Sequence, residues 1–464
     1  MPSILILAGL GFASSDAHAG ASVVADDLPS ARGVTLPDAL SYARAHQPRI
    51  HAALARIAEE RAAAEIPRGQ WLPVVGVTAQ LLGGTANNTT ASYITLPFMD
   101  IPRIGGTRAT TAGSAGWKPY ASTFAGAGLT QELFDFGRIA AQAAAADALT
   151  EVSKHDADAQ RLDVEFGVEE AFFAVQAAKA VLAASEGAYE RSRVHRDLAQ
   201  RGVSAGLRSP IELTRAQADL ERFGIAKIRA TGNVSISQNV LAASIGSAEP
   251  LLDAVGEAPT PAEMPALSRA IELAGARDPH LLSTFARLKQ QEQQTRAIGA
   301  ELRPDLFLTT TLSGRAGGAP PSSGQSADYS GWLPSVPNWD VGVVLSWPIF
   351  DGTVAARRTA SRTAERVRRD EMEVARQELV AGVQQAYVGV QVTRAALPGL
   401  EAAVTAAHAN YAQADARFKS GLGTSVELAD AEALRASTEI DLAVGKFDLA
   451  RARAAFGRAI AEGL

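Results

Sequence analysis

Two short segments carry residue types that could act at a defined place. Ser209-Pro210-Ile211-Glu212 and Thr424-Ser425-Val426-Glu427 each put a hydroxyl three residues ahead of a carboxylate. This is the pattern of a capping box, in which the hydroxyl accepts a free amide of the first helical turn and the carboxylate reaches back to the cap. Pro210 suits the first helical position, where its missing N–H would be unpaired in any case. Glu212 and Glu427 are thereby accounted for as helix starts. Asp430 is not: it shares a helix face with Glu427, three residues on, and no cap needs it. Glycine turns precede both segments, at Gly202 and at Gly421-Leu422-Gly423, and such turns expose backbone groups at the end of a helical hairpin. A second pair of carboxylates, Asp135 and Asp351, sits in Leu133-Phe134-Asp135-Phe136-Gly137 and Pro348-Ile349-Phe350-Asp351-Gly352, placed to cap a helix where a strand hands over to it.

Bond-making chemistry finds no support. There is no Gly-x-Ser-x-Gly elbow, P-loop or His-Glu-x-x-His pair, and Gly126 and Gly128 lack the third glycine of a dinucleotide fingerprint. The closest histidines, His46 and His51, flank Pro48 without a cysteine or carboxylate companion, so neither a metal nor a cofactor is expected. Cysteine is absent, which excludes disulfides and thiolate chemistry; export to an oxidising compartment then suits a bacterial envelope protein that needs no disulfide. A formal charge of -6 argues against a nucleic-acid binder driven by counterion release. The six arginines Arg357, Arg358, Arg362, Arg366, Arg368 and Arg369 crowd a helix N-terminus, where positive charge is unfavourable; a solvated face or contact with anionic head groups would explain them.

The elements that must position these residues come twice. Ala39, Pro48 and Pro73 recur at Ala270, Pro279 and Pro304, a constant displacement of 231, and the Phe134 and Ile211 segments recur about 215 residues on. The expected organisation is a first repeat over 36–245, a linker over 246–265 rich in proline, and a second repeat over 266–460. Ahead of them, Ile4 to Ala13 and Ala17-His18-Ala19 read as a signal peptide over 1–19. Each repeat reads as helix, strand, polar loop, strand, very long helix, Gly turn, helix. In the second, Leu379, Val383, Ala386, Val390, Thr393 and Leu397 begin a 4,3 spacing that continues to Phe418, the seam of a coiled coil. The first repeats it from Val164 through Val168, Ala171 and Val175 to Tyr189. From Gly137 to Gly202 such a helix measures about 98 Å, too long for a compact monomer. Pro398 falls inside the seam and predicts a kink.

The strands have period two. Trp339, Val341, Val343, Leu345 and Trp347 alternate with Asp340, Gly342 and Ser346, and Val75, Val77, Ala79 and Leu81 with Gly76, Thr78 and Gln80. Trp339 and Trp347 close the two ends of one apolar lane, as the aromatic girdles of a transmembrane barrel do. With Thr123 to Leu133 and Leu306 to Leu312 there are about four strands, and about eight are needed to close a barrel. A barrel must then be shared between chains, and the Thr, Asn, Gly and Pro content of Gly83 to Ala121 and Gly314 to Pro337 suits exposed loops.

The duplicated rod with inserted strand pairs, the Pro348-Ile349-Phe350-Asp351-Gly352 junction, and Phe418-Lys419-Ser420-Gly421 leading into Thr424-Ser425-Val426-Glu427-Leu428-Ala429-Asp430-Ala431 resemble the TolC-type outer-membrane efflux proteins. The resemblance implies an α+β membrane protein: a long antiparallel α-helical barrel crossing the periplasm, four strands per chain in a shared twelve-stranded β-barrel, and a homotrimer. It also implies an equatorial collar from the linker and termini. Partners would be a periplasmic adaptor, docking at the turns of Gly202, Gly421 and Gly423, and an inner-membrane pump, with the barrel in outer-membrane lipid. Glu427, Asp430 and Glu212 would narrow the pore with acidic rings. The second turn lacks the basic residue with which some relatives tie neighbouring helices, and Arg208 is the nearest arginine. The alternative is a periplasmic coiled-coil adaptor or scaffold whose strands form a small soluble domain.

Overall fold

The computed structural model describes residues 31–85, 95–96, 99–100, 119–256, 263–317 and 336–463. The 1–19 segment, much of both polar loops, and 257–262 of the linker fall outside the described residues. The chain opens with a short strand β1 (Arg32–Val34) and helices α1 (Leu36–His46), α2 (Pro48–Ala63) and α3 (Glu65–Gly69). Thr35 caps α1 by accepting the Asp38 amide. Strand β2 (Val74–Thr85), a short ladder of β3 (Thr95–Leu96) with β4 (Met99–Asp100), and β5 (Pro119–Phe134) follow. Two helices come next, α4 (Arg138–Ser204) and α5 (Pro210–Ile245).

After β6 (Leu252–Ala254), α6 (Leu267–Arg277) and α7 (Pro279–Ala300) lead into β7 (Asp305–Gly317) and β8 (Val336–Ser346). The chain closes with α8 (Gly352–Lys419) and α9 (Ser425–Ala459). The two rods α4 and α8 have 67 and 68 residues, each about 100 Å long at 1.5 Å per residue. Helix α8 continues through Pro398, where the sequence predicts a kink. Among the described residues no helix is long and apolar enough to cross a membrane.

The seam residues are where the heptads put them. Val164, Val168, Ala171 and Val175 of α4 are buried with Phe172 against Leu36, Ala39 and Ile50 of α1 and α2 and against Leu241 and Ile245 of α5. Val383 and Val390 of α8 pack with Leu449 and Phe456 of α9 and with Ala270 and Ala274 of α6. Alanine at so many contacts lets the helix axes approach closely, so the core is thin and long. Within the expected linker, β6 pairs in parallel with β1, Gly33 opposite Asp253, which fastens the N-terminal segment to the middle of the chain.

Strands β2, β5, β7 and β8 form one antiparallel sheet in that order. The helices continuing from them keep the sequence: α2 packs on α4, α4 on α7, and α7 on α8. Each strand thus stands at the end of its own rod.

Candidate functional site

Cross-strand register decides what each face of the sheet offers. Val75 pairs with Leu129, Ala127 with Leu312, Leu312 with Trp339 and Leu308 with Val343, and paired residues share a face. One face is therefore an apolar lane running across all four strands. The opposite face carries Thr78, Gln80, Gly128, Thr130, Thr309, Thr311 and Asp340. Trp339 is 77% exposed and Trp347, just past the end of β8, 58% exposed; Val77, Leu81, Val341 and Leu345 are exposed between them. Exposed apolar surface of this extent marks a contact with lipid or protein. Both outer strands, β2 and β8, present an unpaired edge eleven or more residues long.

At the strand-to-helix junctions both aspartates act as caps. The buried Asp135 accepts the amides of Gly137 (3.0 Å) and Ile139 with its two oxygens, and Asp351 accepts those of Thr353 (2.7 Å) and Val354 (3.3 Å). Gly137, at φ 97°, supplies the left-handed backbone that turns the chain into α4.

At the far ends of the rods the α4–α5 and α8–α9 turns lie side by side. Phe418, Leu428 and Ala431 of the second hairpin pack with Leu198 of the first. Gly421 is in the second turn at φ 76°, but Gly202 is not in the first. It belongs to the last turn of α4, and the left-handed turn residue is Gly206 at φ 71°. Gly202 is small for another reason: a Cβ there would come within 2.7 Å of the Arg208 Cδ, so the arginine stem lies across it. Gly423 is confined as well, since a Cβ there would come within 3.0 Å of the Phe418 nitrogen.

The two capping boxes differ. Thr424 accepts the Glu427 amide at 3.2 Å as expected, and Glu427 lies 3.7 Å from Arg417. Ser209 makes no side-chain cap, contrary to the sequence pattern. Arg208 has captured Glu212 instead, donating from Nη1 at 2.9 Å, and with Nη2 it donates to the Phe418 carbonyl at 3.0 Å while its guanidinium lies 3.7 Å above the Phe418 ring. One side chain thus ties the first hairpin to the end of α8. Asp430 is exposed and, among the described residues, has no cation within ion-pair distance.

Sequence reasoning missed a polar cluster buried between the hairpins. Arg191 of α4 donates from Nε to both oxygens of Glu432 on α9 at 2.9 Å; about two helical turns further along α9, Arg435 and His408 both donate to Glu439. Burial pushes the Glu432 carboxyl up, and Arg191 pulls it back. His195, stacked edge-on to Phe418 at 4.8 Å, is pushed down by burial. Nothing local signals the pairing, because Arg191 and Glu432 belong to different repeats. Nearer the sheet, Glu165 is held by Arg44 (2.7 Å) and Arg161 (2.8 Å). Glu169, one turn on, is pushed up to about 6 by burial and by the charges of Glu165 and Glu462.

The sign for Glu169 is that of a raised carboxyl. It favours folding below its ordinary value of 4.5, and that contribution is lost as pH rises through about 6. Glu169→Gln is expected to stabilise by up to about 2 kcal/mol at pH 7.5, at 1.36 kcal/mol per unit, and to gain nothing at pH 4. Denaturant midpoints of the two proteins at both pH values check this.

The arrangement is a sheet apolar on one side and polar on the other, joined to rods that end in polar hairpins, and among the described residues no group of side chains could hold a metal ion. Comparison with known proteins agrees. The family model for outer membrane efflux proteins matches residues 39–247 and 270–462. The fusaric acid resistance protein FusA of Burkholderia cepacia is 26% identical over 206 residues, which are 42% of this chain and only 36% of that protein. Among solved structures, the CmeC outer membrane channel of Campylobacter jejuni superposes with a TM-score of 0.72 at 16% identity, over 92% of this chain and 86% of that one. The outer-membrane channel OprN gives 0.72 at 20% identity (92% and 90%), and CusC, described as forming a transmembrane channel, 0.75 at 16% (92% and 91%). These likenesses show the fold. With the family model matched along nearly all of both halves, the chain belongs to the outer membrane efflux protein family: it is an outer-membrane protein and not an enzyme.

Proposed function

We propose that three copies of the chain join their sheets edge to edge into one twelve-stranded barrel, and that the rods below form a continuous passive duct across the periplasm. The observation that carries this reading is the four-stranded sheet with an exposed apolar face and two long unpaired edges. Four strands fall short of the roughly eight that close a barrel, and open edges of that length invite further strands. Lipid would cover the apolar lane between Trp339 and Trp347, and the threonine-rich face would line the lumen. Asp135 and Asp351 hold the junctions at which barrel becomes rod.

At the other end, the hairpin turns at Gly206, which takes the place expected of Gly202, and at Gly421 and Gly423 dock a periplasmic adaptor coupled to an inner-membrane pump. Asp430 and Glu427 form acidic rings at the aperture. Glu212, paired with Arg208, belongs to its closure rather than to a free ring. The exposure of Asp430 without a cation partner supports that division.

Mass measurement of the detergent-solubilised complex tests the assembly. Three times the mass of the mature chain is expected. A monodisperse monomer in plain buffer overturns the duct.

A further inference from the structure

A cavity of about 370 Å³ opens where α4 begins, α7 ends and α8 begins, at the junction of sheet and rods. Gly137 and Ala140 form one wall, and three arginines reach it: Arg296 on α7, Arg303 just beyond it, and Arg358 on α8. Among the described residues none of the three has a carboxylate within 4.0 Å. Arg303 donates to the Phe136 carbonyl at 2.7 Å and Arg296 to the Gln293 side chain at 3.4 Å, while Arg358 lies over Gly299 without a hydrogen-bond partner. Their neighbours differ: Arg357, Arg368 and Arg369 are spent on Glu301, Glu371 and Glu292. Of the six arginines at the start of α8, three are thus paired with carboxylates, and among the other three Arg358 is the one that lines the cavity, together with Arg296 and Arg303. The positive end of the 67-residue α4 adds to the same field. Three exposed guanidinium groups that converge on one cavity form a site of positive charge that suits an anion, and phosphate oxygens match their paired donors.

Depth selects the anion. The Trp347 indole donates to the Leu302 carbonyl at 3.3 Å, so the girdle side chain is anchored to the residue before Arg303. Phe134 and Phe136 meet edge to face at 4.6 Å, and it is the Phe136 carbonyl that Arg303 holds. The arginines therefore lie immediately below the aromatic end of the apolar lane, at the level of polar head groups. Most of its lining comes from α4 and α7, which join the inner strands β5 and β7, and α8 adds Arg358 from the side of the outer strand β8.

We propose that this cavity binds the phosphate of a membrane phospholipid, whose acyl chains lie along the apolar lane above it. This rests on the sheet being the membrane-crossing part of the channel. The experiment is retention of phosphatidylglycerol by the purified detergent-solubilised channel, read by native mass spectrometry, with the conductance of every variant recorded in planar bilayers. Arg358→Gln is expected to weaken retention about tenfold, the loss of one charge-assisted contact, and Arg296→Gln/Arg303→Gln/Arg358→Gln to abolish it. Arg362→Gln, one turn further along α8, retains lipid as the parent does. Inorganic phosphate at equal concentration leaves the lipid in place.

Parental retention by both Arg358→Gln and the triple variant overturns the proposal, as does displacement of the lipid by inorganic phosphate alone, which would make this a site for the free anion. If those variants still insert and conduct, the head-group site fails while the channel stands. A parent protein that neither inserts nor conducts removes both.

Discussion

An Arg191→Met variant is expected to lose about 3–5 kcal/mol of stability, because it strands a carboxylate in the interior. Glu432 is only 4% exposed, and burial pushes its carboxyl up, while the two 2.9 Å bonds from Arg191 oppose that shift. A raised carboxyl favours folding at low pH and opposes it as pH rises through the raised value. Arg191→Met raises it further, so the loss is greatest near pH 8 and shrinks on acidification, when Glu432 can be buried uncharged. Arg191→Met/Glu432→Leu, which removes both charges, is expected to recover most of the stability. Denaturant unfolding of the three proteins at pH 5 and pH 8 decides it. An Arg191→Met protein that unfolds with the parent at pH 8 means that the pair contributes nothing.

The second large effect is expected at the hairpin ends, where Arg208 and Asp430 make opposite contributions in the proposed trimer. Arg208→Ser removes the bonds to Glu212 and to the Phe418 carbonyl together with the stacking on the Phe418 ring. It frees one hairpin from the other, and single-channel conductance is expected to rise several-fold with the assembly mass unchanged. Asp430→Asn keeps side-chain volume while removing three negative charges from one ring. Cation selectivity should fall and block by multivalent cations should weaken, as at any charged constriction. Glu427→Gln keeps the amide bond to Thr424 and separates ring charge from capping. Unchanged conductance in Arg208→Ser would show that the tie does not close the aperture, and unchanged selectivity in Asp430→Asn that there is no acidic ring.

Much of this architecture was legible because it rests on period and repetition. The 4,3 seam marks the rods, alternation marks the four strands, and the Phe134-Asp135 and Phe350-Asp351 pairs mark where one becomes the other. What escaped depends on side chains meeting across large separations. Ser209 has the right type and spacing for a cap, yet its backbone carbonyl rather than its hydroxyl accepts the Glu212 amide, and Arg208 takes the Glu212 carboxylate; no local pattern reports either outcome. Gly202 was the wrong glycine of two. Gly206 stands about 215 residues before Gly421, the same displacement that relates the Glu212 and Glu427 segments, so the repeat itself carried the correct register. Arg191 and Glu432 carry no local signal, because burial there is created only when α4 meets α9. Strands β1 and β6 are three residues each, too short for alternation to register.

The central ladder of the sheet has a consequence for how the chain is made. β5 and β7 pair Gly126 with Ser313, and between them lie the whole of α4 and α5, the β6 segment, and α6 and α7. Ladders between such distant segments form late, because the entropy of closing a long loop is lost before any pairing is gained. Helical hairpins made of local contacts, α4 with α5 and α8 with α9, can assemble first. During that interval Val75, Val77, Leu81 and the Trp339 to Leu345 lane have no partners, and unpaired apolar strands are the species that aggregate. The glycines and threonines that alternate with them lower that hazard along the chain itself. For the rest, the length of time for which these strands stay exposed is set by how slowly β7 finds β5.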